Sequence, residues 1–482
     1  MTSPLEPEKA TLQHWLTIVS QLVTDHQERT ASEPAMGAVG EAGHRRARAL
    51  SQPILETPMA GGMEAISALL EEASGVALNT TAGGYLAYVP GGGLITAGMA
   101  DLIAASFNRF TGLSGAAPAF VRFEADVLTW LAREFGYGPQ ARGLFTSGGS
   151  QANLSALIAA RQTRFGDTGD FRTATVYTSA QAHHSVSKSV RLAGLPSKAM
   201  RIVPVDDEMR MCPRELEQMI RRDVAAGCAP MAVVAAAGTT NTGAVDPLPE
   251  LVAVSQATRT WLHIDGAYGG AFVLCPEGRE LLRGIEGADS ITFDPHKGLF
   301  LPYGTGCLLV KDGRALLAAH DADATYLQDF DTFGHDGAPP SPASYGPELS
   351  RPYRGLRLWL SLMLFGAGPF RRALSDKLML ARRFHDALSA SDAPIEVLHP
   401  PQTSAVGFRL VRRPGEALAV WNARNAEWMT ATNAKQRVHL SSTTLPSSEG
   451  PVFTLRVCVL SFRTHTHHIE HCLEDLLGSV PA

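Results

Sequence analysis

The chain has 482 residues, 45% of them apolar and 18% charged, with a net charge of −5. That length and composition fit a soluble globular protein with a large core shared by two or three domains, and they exclude disordered and fibrous classes. Mild acidity without a long basic run speaks against nucleic acid as a partner, so a small-molecule enzyme fits better.

Residues 1–95 read as a helical segment with a Gly-rich tail. Leu12, Trp15, Leu16, Val19, Leu22 and Val23 fall on one face of a helix, with polar residues around them, which is not the pattern of a secretory leader. No apolar run approaches the roughly 20 residues of a membrane span. The six cysteines are far apart and form no C-x-x-C pair, which reads as reduced thiols in a cytoplasmic protein.

Residues 96–356 alternate short apolar strands with helical stretches. The strand-like runs begin at Gly143, Thr173, Ala199, Met231, Trp261, Ile291 and Thr305, and the segment Ala152 to Arg164 reads as a helix. This alternation predicts an α/β domain with a mainly parallel sheet covered on both faces, whose ligands gather at the carboxyl ends of the strands. The stretch from His320 to Tyr353 has little periodicity and many Gly, Pro, Ser and Asp residues, as in a lid. Residues 357–482 open with a helix from Leu356 to Phe365 and continue as a small α+β domain, with strands at Val406 to Val411 and Phe453 to Leu460.

The chemistry-bearing residues sit after the predicted strands. Ser147-Gly148-Gly149-Ser150 opens a helix, where small residues and free amides suit a phosphate, although an ordinary strand-to-helix turn reads the same way. It is neither a Walker loop nor a dinucleotide fingerprint. Asp265, behind the apolar Trp261-Leu262, needs a positive partner such as a protonated ring nitrogen, or else serves as a cap or structural ion pair. Asp294-Pro295-His296-Lys297-Gly298 places a lysine on a strand-end loop, where partial withdrawal from water would free its amine to attack an aldehyde carbon. The run His465, His467, His468, His471 reads as a solvated helix, and no metal is expected.

Leu86-Ala-Tyr-Val-Pro90, Ala116-Ala-Pro118, Thr146-Ser-Gly-Gly-Ser150, Gln181-Ala-His183, Gly238-Thr-Thr240, His263-Ile-Asp265, Pro295-His-Lys297, Thr325-Tyr-Leu327 and Arg354-Gly-Leu-Arg-Leu-Trp359 occur in this order. Together they resemble the group II pyridoxal-phosphate-dependent amino-acid decarboxylases, and the aromatic-L-amino-acid decarboxylases in particular. The resemblance implies pyridoxal-phosphate fold type I (aspartate aminotransferase-like) and a homodimer whose active sites lie at the interface. It implies pyridoxal 5'-phosphate as cofactor, linked to Lys297, with Gly149, Ser150 and His296 at its phosphate. Asp265 would hold the pyridine nitrogen, Thr240 and Ala267 would lie near the ring, and His183 would stack on it and meet the substrate carboxylate. His184 carries no such role.

Tyr326 matches the tyrosine of the mobile catalytic loop, which returns a proton to the α-carbon. Related aldehyde synthases carry phenylalanine there, so Tyr326 and His183 favour simple decarboxylation over an aldehyde synthase. A carbon–carbon lyase and a non-catalytic pyridoxal-phosphate-binding protein are the other readings.

Asp294 departs from the family's asparagine. A carboxylate aimed at a phosphate is repelled, so Asp294 is expected to turn away or be bridged by another donor. On the substrate side Tyr88 and Pro90 match the aromatic decarboxylases. Val89, Gly91 and Gly112 replace phenylalanine, threonine and phenylalanine, Phe110 replaces isoleucine, and the lost volume would reshape the pocket. Phe110 and Gly112 would face the partner's cofactor. With no arginine evidently placed for a distal acid, an aromatic or bulky apolar amino acid is the preferred substrate.

Overall fold

The computed structural model describes residues 5–167, 169–321 and 337–481. Its central feature is a seven-stranded sheet, built from β1 (Arg142–Thr146), β2 (Ala174–Ser179), β3 (Met200–Val203), β4 (Ala229–Ala236), β5 (Trp261–Gly266), β6 (Ser290–Phe293) and β7 (Gly306–Val310), in the order β1-β7-β6-β5-β4-β2-β3. The pairs from β3 through β6 are parallel, and β7 runs antiparallel to both β6 and β1. The mainly parallel sheet predicted from the alternating pattern is therefore present.

β4 is buried from Pro230 to Ala236, as a strand covered on both faces must be, and this explains its unbroken apolar run. The helix Gly149–Phe165 packs on β6 and β7 and buries Ala152, Ala156, Ala159 and Ala160, small residues that bring it close to the sheet. On the opposite face of the sheet Ile264, Ile291 and Phe293 pack in a core with Phe135 and Phe272 at 1% exposure or less, each contributing roughly 1.5–3 kcal/mol of burial.

A second sheet lies toward the C-terminus. Its strands are β8 (Ile395–Val397), β9 (Ala405–Leu410), β10 (Ser441–Leu445) and β11 (Val452–Cys458), antiparallel in the order β10-β11-β9-β8. Sequence periodicity finds β9 and β11 but not their partners. β8 has three residues and β10 reads Ser-Ser-Thr-Thr-Leu, so neither carries an apolar signal. The helices Gly368–Ser389, Leu418–Asn433 and Thr466–Leu477 close a separate core around Phe384, Phe408 and Trp428. In the last of these His468 packs against Gly83, and His465 and His468 cap the helix start.

Among the described residues five helices, Lys9–Thr30, Gly40–Leu50, Gly62–Ser74, Ile95–Phe107 and Pro118–Glu134, precede the large sheet. The apolar face predicted for the first is uncovered in the single chain: Leu12, Trp15, Leu16 and Val19 are exposed, as are Met99, Leu102 and Phe107 of the fourth. Among the described residues no helix is long and apolar enough to cross a membrane.

Candidate active site

The carboxyl ends of the parallel strands surround a cavity of about 290 Å³. Gly149, Ser150, His183, Thr240, Asp265, Ala267, Asp294, His296 and Lys297 all line it. Each sits where a strand gives way to a turn or helix, because only there does the backbone leave the sheet and free side chains to converge.

At the end of β1, Ser147 and Gly148 lead into the helix starting at Gly149, whose first N–H groups have no intrahelical acceptor and favour an anion. A Cβ on Gly149 would lie 3.0 Å from both Ala267 Cβ and Asp294 Oδ2, so glycine is what lets the loops after β1, β5 and β6 meet.

Asp265 ends β5 with both carboxylate oxygens engaged. Oδ1 accepts from the Ala267 N–H at 3.1 Å and Oδ2 from Asn153 Nδ2 at 2.8 Å. Asn153 also contacts Ser185 Oγ at 3.0 Å, and Ser185 Oγ lies 2.8 Å from His183 Nδ1. Behind them the fully buried His263 touches Asn153 Oδ1 at 3.0 Å and Ser290 Oγ at 2.8 Å. Burial pushes His263 down to about 4 and also lowers His183, whose fall is opposed by the charge of Asp265. Both imidazoles are therefore neutral near pH 7. The sequence gives no direct sign of Asn153, Ser185 or His263 as site residues, since their roles depend on which strand ends become neighbours.

Lys297 lies in the turn after β6 with its side chain 23% exposed, and its Nζ is 3.2 Å from Asp294 Oδ2. His296 donates from Nδ1 to the Thr305 carbonyl at 2.8 Å, and its Nε2 stands 3.6 Å from the same Asp294 oxygen. Burial lowers the His296 pKa. Asp294 is 2% exposed, and its Oδ1 has no partner among the described residues. The carboxylate expected to turn away or be bridged by another donor stands against Lys297.

Tyr88, Val89, Pro90, Gly91, Phe110 and Gly112 do not line this cavity in the single chain. The space beside Gly112 is filled by the Leu349 carbonyl, and that beside Gly91 by the Tyr303 ring and the His296 carbonyl. Within this chain, the volume these glycines release is taken up by packing. Tyr88 is 58% exposed and has a φ of 51°, rare for a non-glycine residue. It is pinned by Ser441 Oγ, which accepts from its N–H, and by Arg456 Nη1, which donates to its carbonyl.

Arg456 itself is 3% exposed, and its Nε and Nη2 have no partner among the described residues. A buried guanidinium with unused donors suits a carboxylate, and sequence reading overlooked it inside an apolar strand. Tyr326 lies outside the described residues.

These residues fit pyridoxal phosphate by their chemistry: an anion-binding helix start, a carboxylate for a ring nitrogen and an amine for an aldehyde, around one cavity. Residues 78–411 match the family model described as the pyridoxal-dependent decarboxylase conserved domain. The aromatic-L-amino-acid decarboxylase of Bacillus atrophaeus is 34% identical over 392 residues, covering 80% of this chain and 78% of that protein. A tyrosine decarboxylase of Oryza sativa subsp. japonica is 32% identical over 407 residues, covering 80% and 75%. The crystal structure of Oryza sativa TDC with PLP and tryptamine aligns over 100% of this chain and 99% of its own, with a TM-score of 0.89 at 25% identity. The chain belongs to the pyridoxal-dependent decarboxylase family, and is a fold type I, pyridoxal-phosphate-dependent amino-acid decarboxylase.

Proposed function

We propose that this enzyme decarboxylates an aromatic or bulky apolar L-amino acid to its amine. The observation that carries the reading is the convergence of Lys297, Asp265, His183 and the Gly149 helix start on one cavity. The names of its relatives, aromatic-L-amino-acid and tyrosine decarboxylase, support the substrate class.

Bound pyridoxal phosphate supplies an aldehyde for the amino group and a ring that takes up the electron pair left by departing carbon dioxide. Lys297 is the amine exchanged against the substrate's amino group. The amides of Gly149 and Ser150, with His296, hold the phosphate, while Thr240 and Ala267 flank the ring. Asp265 keeps a proton on the ring nitrogen. Asp294 pairs with Lys297 beside the Gly149 helix start. His183 binds the substrate carboxylate, and Tyr326 returns a proton to the α-carbon.

The exposed apolar residues of the first and fourth helices support a homodimer, in which Tyr88, Val89, Pro90, Gly91, Phe110 and Gly112 form the substrate-side surface between subunits. The six unpaired cysteines support a cytoplasmic location.

A second reading of the substrate, an amino acid with an acidic side chain, rests on Arg456, which lies outside the cavity lining beside Tyr88 and whose buried Nε and Nη2 have no partner among the described residues. Incubation with the twenty standard amino acids and common aromatic derivatives, with detection of amine and carbon dioxide, decides between them. Amine from aromatic substrates supports the first reading, and amine from acidic substrates alone overturns it. Tyr326→Phe should shift the product from amine toward aldehyde and ammonia; an unchanged product removes the tyrosine from the reaction.

A further inference from the structure

Beneath the cavity a line of buried and half-buried polar groups runs from Trp261 to His183. In order, the contacts are Trp261 Nε1 to Ser290 Oγ at 2.8 Å, Ser290 Oγ to His263 Nδ1 at 2.8 Å and His263 Nε2 to Asn153 Oδ1 at 3.0 Å. They continue from Asn153 Nδ2 to Ser185 Oγ at 3.0 Å and from Ser185 Oγ to His183 Nδ1 at 2.8 Å. Asn153 also reaches Asp265 Oδ2 at 2.8 Å.

Donor and acceptor roles along the line follow from its fixed points. An indole N–H only donates, so Ser290 accepts from Trp261 and its own proton is free for His263 Nδ1. A carboxylate only accepts, so the asparagine atom beside Asp265 is its NH₂ and the atom beside His263 is its carbonyl. His263 must then donate from Nε2, in keeping with a neutral ring whose Nδ1 accepts. The second amide proton of Asn153 goes to Ser185 Oγ, leaving the Ser185 hydroxyl to donate to His183 Nδ1. A separate contact agrees: the backbone N–H of Ser185 also points at His183 Nδ1, at 3.3 Å. With two donors on Nδ1, the proton of His183 resides on Nε2.

We propose that Asn153 is a positioning residue, whose side-chain amide holds Asp265 in place and, through Ser185, locks His183 as the Nε2–H tautomer. His183 then offers the cavity a hydrogen-bond donor and no acceptor. Such a group binds a substrate carboxylate oxygen and does not act as a base. Asn153 couples the residue assigned to the ring nitrogen to the residue assigned to the carboxylate, so both are oriented by one side chain that is 1% exposed. This consequence for catalysis rests on the roles proposed above for Asp265 and His183, whereas the tautomer itself does not.

The test is ¹⁵N NMR of the holoenzyme labelled at histidine, with the His183 signals identified by their loss in His183→Gln. The expected spectrum has Nε2 protonated and Nδ1 bare. Asn153→Ala should populate the Nδ1–H form and lower kcat by about tenfold to a hundredfold, the effect of losing one hydrogen bond to a charged group. Should that variant fail to fold, Ser185→Ala and Ser185→Thr serve instead. The alanine variant should lose the pure Nε2–H signature and the threonine variant, which keeps the hydroxyl, should restore it together with kcat. Wild-type protein showing Nδ1–H, or variants that lower the melting temperature while tautomer and kcat stay fixed, would overturn the proposal. Because the tautomer is read without turnover, an enzyme inert toward every amino acid would refute the proposed reaction and leave the tautomer assignment standing.

Discussion

The two carboxylates of the cavity, Asp294 buried and Asp265 half-buried, both sit in polar company, yet their surroundings differ. Asp265 has a donor on each oxygen and sits in a network that continues through Asn153 and Ser185 to His183. Asp294 has one oxygen 3.2 Å from Lys297 and the other without a partner among the described residues. The Asp265 wall is organised in advance, which is how an electrostatic partner acts without having to reorganise. The Asp294 wall is incompletely satisfied, as befits a wall whose lysine must exchange its bonding partner during a reaction cycle.

Lys297→Ala is the strongest way to break the second wall. Carbon dioxide release should fall by roughly 10⁴-fold or more, the scale for loss of a covalent nucleophile, and the borohydride-reducible cofactor adduct should vanish. Turnover with a retained adduct would remove Lys297 from the chemistry.

Asp265→Ala breaks the first wall. The expected loss in kcat is about a hundredfold to a thousandfold, as when a preorganised partner of developing charge is removed. A loss confined to cofactor affinity would show that Asp265 only binds.

His263 probes the support of that wall through pH. Its folded pKa of about 4 lies below the ordinary 6.5, so between these values the unfolded chain binds more protons than the folded one. This stability is complete above pH 6.5 and is lost as the pH falls toward 4. His263→Gln should therefore lose less stability than wild type on acidification, by roughly 1–3 kcal/mol in urea unfolding at pH 4 compared with pH 7. Parallel stability curves would show that the histidine is not held neutral.

The smallest effect is expected for Asp294→Asn, which keeps the shape and removes a charge near the proposed phosphate site. Cofactor should bind to the apo protein about three- to tenfold more tightly in a fluorescence titration. Weaker binding would mean that the carboxylate supports the cofactor through Lys297, and the contrast between the walls would shrink.

The residue pattern alone is enough for the mainly parallel sheet, because strands buried on both faces need unbroken apolar runs such as Met231–Ala237. It also gave an ordered set of short motifs, whose glycines, aspartate, histidine and lysine are chemically legible one loop at a time. The polar strand β10 and the three-residue β8 escaped notice, since they are defined by their partners rather than by their own periodicity. Arg456 reads as one charge in an apolar strand, and only folding reveals two donors beside Tyr88 that have no partner among the described residues. The glycines at 91 and 112 pointed to a reshaped pocket; in the single chain the Tyr303 ring and the Leu349 carbonyl stand beside them, and such packing depends on residues far along the chain. Asn153, Ser185 and His263 become one network only because β5 and the helix starts after β1 and β2 are brought side by side. Hydrogen-bond direction, unlike residue type, is a property of the whole arrangement, and tertiary structure alone decides it.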